Sequence, residues 1–211
     1  MKATQGIENN DITPFNDYVF LPLSDGRILG DHSKANLPLS DADKNIIRRV
    51  QSRDLRVAKY VHQHAKNGKL LVKILGIKAL KGYSVNLLSG RLYDPNGELY
   101  DNYRTNNAHY ISPRKGSKPL HELVYFQFLM RADQKLYDEV LANRGNYNIH
   151  HMDATKKTTL AGNSIFNLKL LPAKLHRAYE SILKALEKAD KKGEWTTYQR
   201  WTPFSQADKI A

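Results

Sequence analysis

The stretch from Tyr147 to Ala189 limits what this chain can fold into more than any other, because its apolar period changes along the way. Tyr147–His151 reads as a short strand, and a polar loop follows. Phe166, Leu168 and Leu170 then alternate on one face of a second strand, Phe166–Leu170. Pro172 suits the first position of a helix, after which Leu175, Ala178, Ile182, Leu186 and Ala189 recur at helical spacing. Strand, loop, strand and helix in this order make the segment α+β.

Three histidines and one asparagine sit on this frame. His150 and His151 end the first strand, Asn167 lies on the second, and His176 follows nine residues later beside the apolar stripe of the helix. Adjacent strand residues point to opposite faces, so His150 and His151 cannot share one role unless the strand ends or bends there. A histidine near its unperturbed pKa of ~6.5 is suited to taking a proton from water at neutral pH. A divalent cation neutralises charge and stabilises a departing oxygen.

In order, spacing and local structure, this pattern resembles the HNH endonucleases of the phage and homing type, the ββα-metal nucleases. The resemblance implies a metal-dependent endonuclease that hydrolyses phosphodiester bonds. It makes His151 the general base, His150 and His176 ligands of one divalent metal, and Asn167 the residue that braces the loop. A second match lies upstream. Leu120–Phe128 carries His121, Leu123, Val124 and Phe128 at positions where these nucleases often have His, Leu-Val and an aromatic. There the helix packs on the nuclease hairpin, so His121 is expected to be structural. Asp153 and Lys156 also match. Family members tend to have Gly and a pair of Asn in the loop, where this chain has Ala154, Thr158 and Thr159. Two imidazoles favour a transition metal such as Mn²⁺ or Zn²⁺ more than an all-oxygen site would. Mg²⁺, its shell completed by phosphate and water, is nevertheless the expected ion. The resemblance covers residues 82–182, and residues 1–80 match nothing we can name.

The chain has 211 residues and a formal net charge of +12. That balance favours a polyanionic partner, most simply double-stranded DNA. Leu39–Asp43 starts a helix that Ser40 can cap and that is expected to run to Ala65. Ile47, Val50, Leu55, Ala58 and Val61 form its apolar face. Arg48, Arg49, Arg53, Arg56 and Lys59 form a basic one. The basic face is either solvated or grips phosphates, and in so basic a chain DNA contact is preferred. Arg114, Lys115 and Lys118, in a loop with two prolines and a glycine, are a second candidate contact, and Lys156 in the nuclease loop a third.

There is no cysteine, so disulfides and Cys-ligated zinc are excluded. No stretch approaches the ~20 apolar residues of a membrane span, and the first residues lack the apolar core of a secretory signal. An intracellular, cytoplasmic protein is the expectation, acting as a monomer because no heptad repeat appears. A single active site nicks one strand. Three regions are expected: a mainly helical basic part at 1–81 that binds DNA, the nuclease domain with small upstream hairpins at 82–190, and an aromatic tail at 191–211. Trp195, Tyr198, Trp201 and Phe204 of the tail are expected to pack rather than stack on bases. The alternatives are a basic DNA-binding protein on a retired nuclease fold, and an RNA-cleaving or toxin-type HNH nuclease.

Overall fold

The computed structural model of the chain describes residues 20–22, 28–30, 40–52, 54–105, 110–116, 118–153, 157–191 and 197–198. The mixed α+β composition expected from the sequence is present. Helices pack around several small antiparallel sheets. Strands β1 (Phe20–Pro22) and β2 (Ile28–Gly30) pair, and β10 (Thr197–Tyr198) adds to β2, joining segments distant in sequence in one sheet. A second sheet has the order β3 (Leu71–Lys73), β4 (Ser84–Asn86), β5 (Leu92–Tyr93). β6 (Tyr103–Thr105) pairs with β7 (Ile111–Pro113), and β8 (Tyr147–His151) pairs with β9 (Leu168–Pro172).

The basic segment after Ser40 folds as two helices, α1 (Asp41–Gln51) and α2 (Leu55–His64), where one was expected. Ser40 and Asp43 form a reciprocal capping box at the start of α1. Ser52 is extended and ends it. Asp54 then caps α2 by accepting from the Arg56 N–H. The break resets the helical phase. Val57 and Tyr60 therefore face the core, while Leu55, expected inside, is 77% exposed. Asn67 and Gly68, both with positive φ, turn the chain after α2, and Lys66 and Lys69 exchange two backbone hydrogen bonds across them.

The second strand of the ribbon is also displaced. Ile165–Asn167 is a short 3-10 turn, so the strand begins at Leu168 and takes in Pro172, and α5 (Ala173–Lys191) starts one residue later. Ser164 accepts from the Phe166 N–H and holds that turn. Leu99 forms an isolated bridge with Tyr93, reached by the turn at Asp94 and Gly97.

Two cores result. The larger surrounds α3 (Leu120–Ala132), whose Leu120, Leu123, Val124, Tyr125, Phe128 and Leu129 are all buried. A helix apolar on nearly every side belongs in the interior. Around it lie Val57 and Tyr60 of α2, Val72 and Val85 of the second sheet, and Ile149 and Leu168 of the ribbon. α4 (Gln134–Ala142) adds Val140. Pairing of Leu71 with Asn86 and of Val72 with Val85 carries this sheet across the boundary drawn at residues 81 and 82. Residues 55–81 are thus built into the same core as the segment that follows. The smaller core joins Ile47 and Val50 of α1 to Leu171 of β9 and to Tyr179, Ile182 and Leu186 of α5. No described helix is long and apolar enough to cross a membrane.

Candidate metal and general-base centre

The β8–β9 ribbon separates the two cores, and its register sorts the histidines between them. Ile149 pairs with Leu170 and His151 with Leu168, and these face α3 and the larger core. His150 pairs with Lys169 and Asn148 with Leu171, and these face α5 and the smaller core. Alternation along the strand puts the two adjacent imidazoles back to back.

On the α5 side, His150 is 5% exposed and its Nε2 has no hydrogen-bond partner. Its ring meets His176 edge to face with centroids 5.1 Å apart, and Tyr179 at 5.2 Å. Glu180 lies one helical turn after His176, with its Oε1 3.8 Å from the His176 Nε2. One ligand atom from each of His150, His176 and Glu180 lies within 4.8 Å of the others. Tetrahedral bonds of ~2.1 Å would draw such donors to about 3.4 Å, a small adjustment for two half-exposed helix side chains. Burial, then the nearby His176, His151 and Lys169, hold the His150 pKa down at about 3. Burial also lowers His176, against the pull of Glu180. Both rings are therefore neutral at pH 7 and offer lone pairs, as a cation requires. A buried ring nitrogen without a hydrogen-bond partner, next to an imidazole and a carboxylate, suits a cation site.

On the α3 side, the His151 Nε2 lies 3.1 Å from the Asn163 Oδ1. His121 packs against the same ring at 4.9 Å and Tyr110 stacks on it at 5.8 Å. The His121 Nδ1 is buried without a partner. Burial, chiefly, pushes His151 down to about 4, the Asn163 bond and Asp153 working the other way. Burial and the neighbouring His151 push His121 to about 3. His151 is thus a neutral base at pH 7.

Asn167 belongs to the loop. Its Oδ1 accepts from the Asp153 N–H at 2.7 Å, and its Nδ2 donates to Gly162 O at 2.7 Å and to Asp153 O at 3.3 Å. It ties the exit of β8 to the entrance of β9. Two side chains at this centre were not singled out in the sequence. Glu180 was readable as the residue four after His176 on the same helix face. Asn163 stands beyond Thr158 and Thr159, where an amide was sought, and only the path of the loop brings it to His151.

The candidate cationic contacts differ in what engages them. Arg48, Arg49, Arg114 and Lys118 are exposed. The Arg56 guanidinium is held by both carboxylate oxygens of Asp54 and by Asp133. Lys115 donates to the Tyr83 hydroxyl at 3.0 Å and lies over that ring. Arg53, Lys156 and Ala154 lie outside the described residues, as do Trp195, Trp201 and Phe204 of the tail. Lys169, not considered from the sequence, donates to the carbonyls of Arg49, Val50 and Ser52 at the end of α1.

Compared with known protein families, curated proteins and solved structures, the chain matches none of them.

Proposed function

We propose that the chain is a metal-dependent DNA endonuclease of the HNH, ββα-metal class, which nicks one strand by hydrolysing a phosphodiester bond. The observation that carries this reading is the unpartnered Nε2 of buried His150 beside His176 and Glu180, on the opposite face of the strand from the neutral base His151. His150, His176 and Glu180 would hold the divalent ion, Mg²⁺, Mn²⁺ or Zn²⁺. When bound, the ion supplies charge neutralisation at the phosphate and at the departing oxygen.

The remaining chemistry belongs to the chain. His151 accepts a proton from a water molecule, whose oxygen bonds to phosphorus as the bond to the 3′ oxygen breaks. The 3′ oxygen takes its proton from solvent, giving 5′-phosphate and 3′-hydroxyl ends. Asn167 keeps the two strands of the ribbon in register through the loop. Arg48 and Arg49, at the end of α1 where it packs on α5, bind the phosphates flanking the site. Arg114 and Lys118 extend this contact along double-stranded DNA. Arg56 is assigned to the cap of α2 and not to the interface. The protein acts as a monomer inside the cell.

The test is conversion of supercoiled plasmid with Mg²⁺, Mn²⁺ or EDTA, wild type beside His151→Ala. Metal-dependent open circles from the wild type alone are expected. Binding without cutting under every metal would overturn the enzyme assignment and leave a DNA-binding protein. Cleavage of RNA but not plasmid would change the substrate.

A further inference from the structure

The geometry points to Asn163 as the positioning residue of His151. Its side-chain carbonyl holds the imidazole in the tautomer with hydrogen on Nε2, leaving the lone pair on Nδ1. The consequence for cleavage rests on the nuclease reading, whereas the tautomer itself does not.

Three hydrogen bonds fix which way the amide points. The Asn163 Nδ2 donates to Thr159 O at 2.6 Å and lies 3.5 Å from Lys157 O. Reversing the amide would set its oxygen against both carbonyls. The oxygen is therefore the atom 3.1 Å from the His151 Nε2. A carboxamide oxygen only accepts, so Nε2 must donate. A neutral ring then has its one basic nitrogen at Nδ1. Asn163 is completely buried, so water does not compete for the bond.

The fold seats this amide firmly. Asn163 sits in a 3-10 turn, Ala161–Asn163, whose neighbour Ile165 donates its N–H to Leu87 O at 2.8 Å. Gly90, with φ +68°, lets the loop approach so closely that a Cβ there would stand 2.5 Å from Leu160 O and 3.3 Å from the Asn163 Cβ. Two segments distant in sequence thus lock the residue that orients the base. This is the arrangement in which a general base is held by a third group.

Long-range ¹H–¹⁵N correlation of the imidazoles at neutral pH reads the tautomer directly, with His151 assigned by its loss in His151→Gln. The wild type is expected to show Nε2–H for His151. Asn163→Ala should give a mixture of tautomers. Asn163→Asp, which keeps an acceptor but loses the donors to Thr159 and Lys157, should restore Nε2–H. In cleavage assays Asn163→Ala should lower kcat tens-fold with KM nearly unchanged, and Asn163→Asp should recover most of it. Nδ1–H in the wild type overturns the proposal even if no variant folds. So does an unchanged tautomer in folded Asn163→Ala, or equal damage from Ala and Asp, which a role in loop structure alone predicts. A wild type that shows Nε2–H but cuts no nucleic acid would sink the nuclease reading and not the tautomer.

Discussion

The two faces of the β8–β9 ribbon carry imidazoles one residue apart in equally buried surroundings, yet they treat them in opposite ways. His150 and His151 are each 5% exposed. On the α5 face the structure withholds a hydrogen bond from His150 and surrounds it with further donors of lone pairs. On the α3 face it gives His151 an oriented amide and packs it between aromatic rings. Burial alone makes both rings neutral, so burial does not distinguish a ligand from a base. What differs is the partner: the His150 Nε2 has none, whereas the His151 Nε2 meets the Asn163 carbonyl.

Single substitutions on the two faces break this comparison most sharply. His151→Ala is expected to cut the cleavage rate by about 10²–10⁴-fold while leaving Mn²⁺ affinity, measured by calorimetry, almost unchanged. His150→Ala should abolish cleavage and also weaken Mn²⁺ binding, by more than the ~10–100-fold that loss of an outer-shell partner costs. Glu180→Gln should weaken binding by less than His150→Ala, since the amide still offers an oxygen. Equal metal affinity in all three variants would mean that the α5 face holds no ion.

Acid tests both faces at once. Unfolded histidine takes up a proton near pH ~6.5. His150 and His121 wait until about pH 3 and His151 until about pH 4. Between those limits the unfolded chain binds more protons than the folded one. Stability is therefore complete above pH ~6.5 and falls as pH drops towards 4, by up to ~1.4 kcal/mol per pH unit for each ring. Urea unfolding at a series of pH values measures the slope. His121→Leu removes one of the lowered rings, and with it an unpartnered buried nitrogen, so the slope should shrink by up to ~1.4 kcal/mol per pH unit. A slope that His121→Leu leaves intact would show that His121 does not stay neutral in the folded chain.

Much of this arrangement was legible in the sequence, for local reasons. Tyr147–His151 is a strand because its residues alternate and are bounded by turn formers. The helix at Leu120–Phe128 was expected from the resemblance carried by His121, Leu123, Val124 and Phe128. Back-to-back placement of His150 and His151 followed from the period of a strand. What escaped depended on contacts between distant segments or on one local hydrogen bond. The helix expected through Ala65 breaks because the Asp54 side chain caps a new one, a choice the apolar pattern does not record. The turn at Ile165–Asn167 replaces the start of a strand because Ser164 bonds ahead of it. Asn163 acquires its place only when Gly90 admits the loop. The boundary drawn at residue 81 overlooked β3 pairing with β4 across it.

That last dependence gives each face its own structural support to remove. Gly90→Ala puts a Cβ against a backbone carbonyl at a positive φ, and about 1–3 kcal/mol of stability should be lost. The damage belongs to the α3 face. The His151 tautomer should become mixed while Mn²⁺ affinity holds, and loss of metal binding in folded Gly90→Ala would join the two faces into one unit.

The smallest expected effect tests the other face. Lys169 stands opposite His150 and sends its ammonium to the last carbonyls of α1, one of which, Arg49 O, also accepts from the Ser52 hydroxyl. Burial, the leading influence, lowers its pKa to about 8. Lys169→Met keeps the aliphatic stem and removes the cap, at a cost of ~1 kcal/mol. Because this pKa lies below the unfolded value of ~10.4, the unfolded chain holds more protons between the two, so the global stability of the wild type should rise as pH passes upward through about 8, and that of Lys169→Met should not. Hydrogen exchange at the end of α1 reads the loss of the cap locally. If α1 presents Arg48 and Arg49 to a phosphate backbone, its loosening should raise KM for DNA and leave kcat alone, because His151 looks the other way. An equal fall in kcat would show that α1 holds the metal face in shape, and the two faces would then differ in chemistry but share their support.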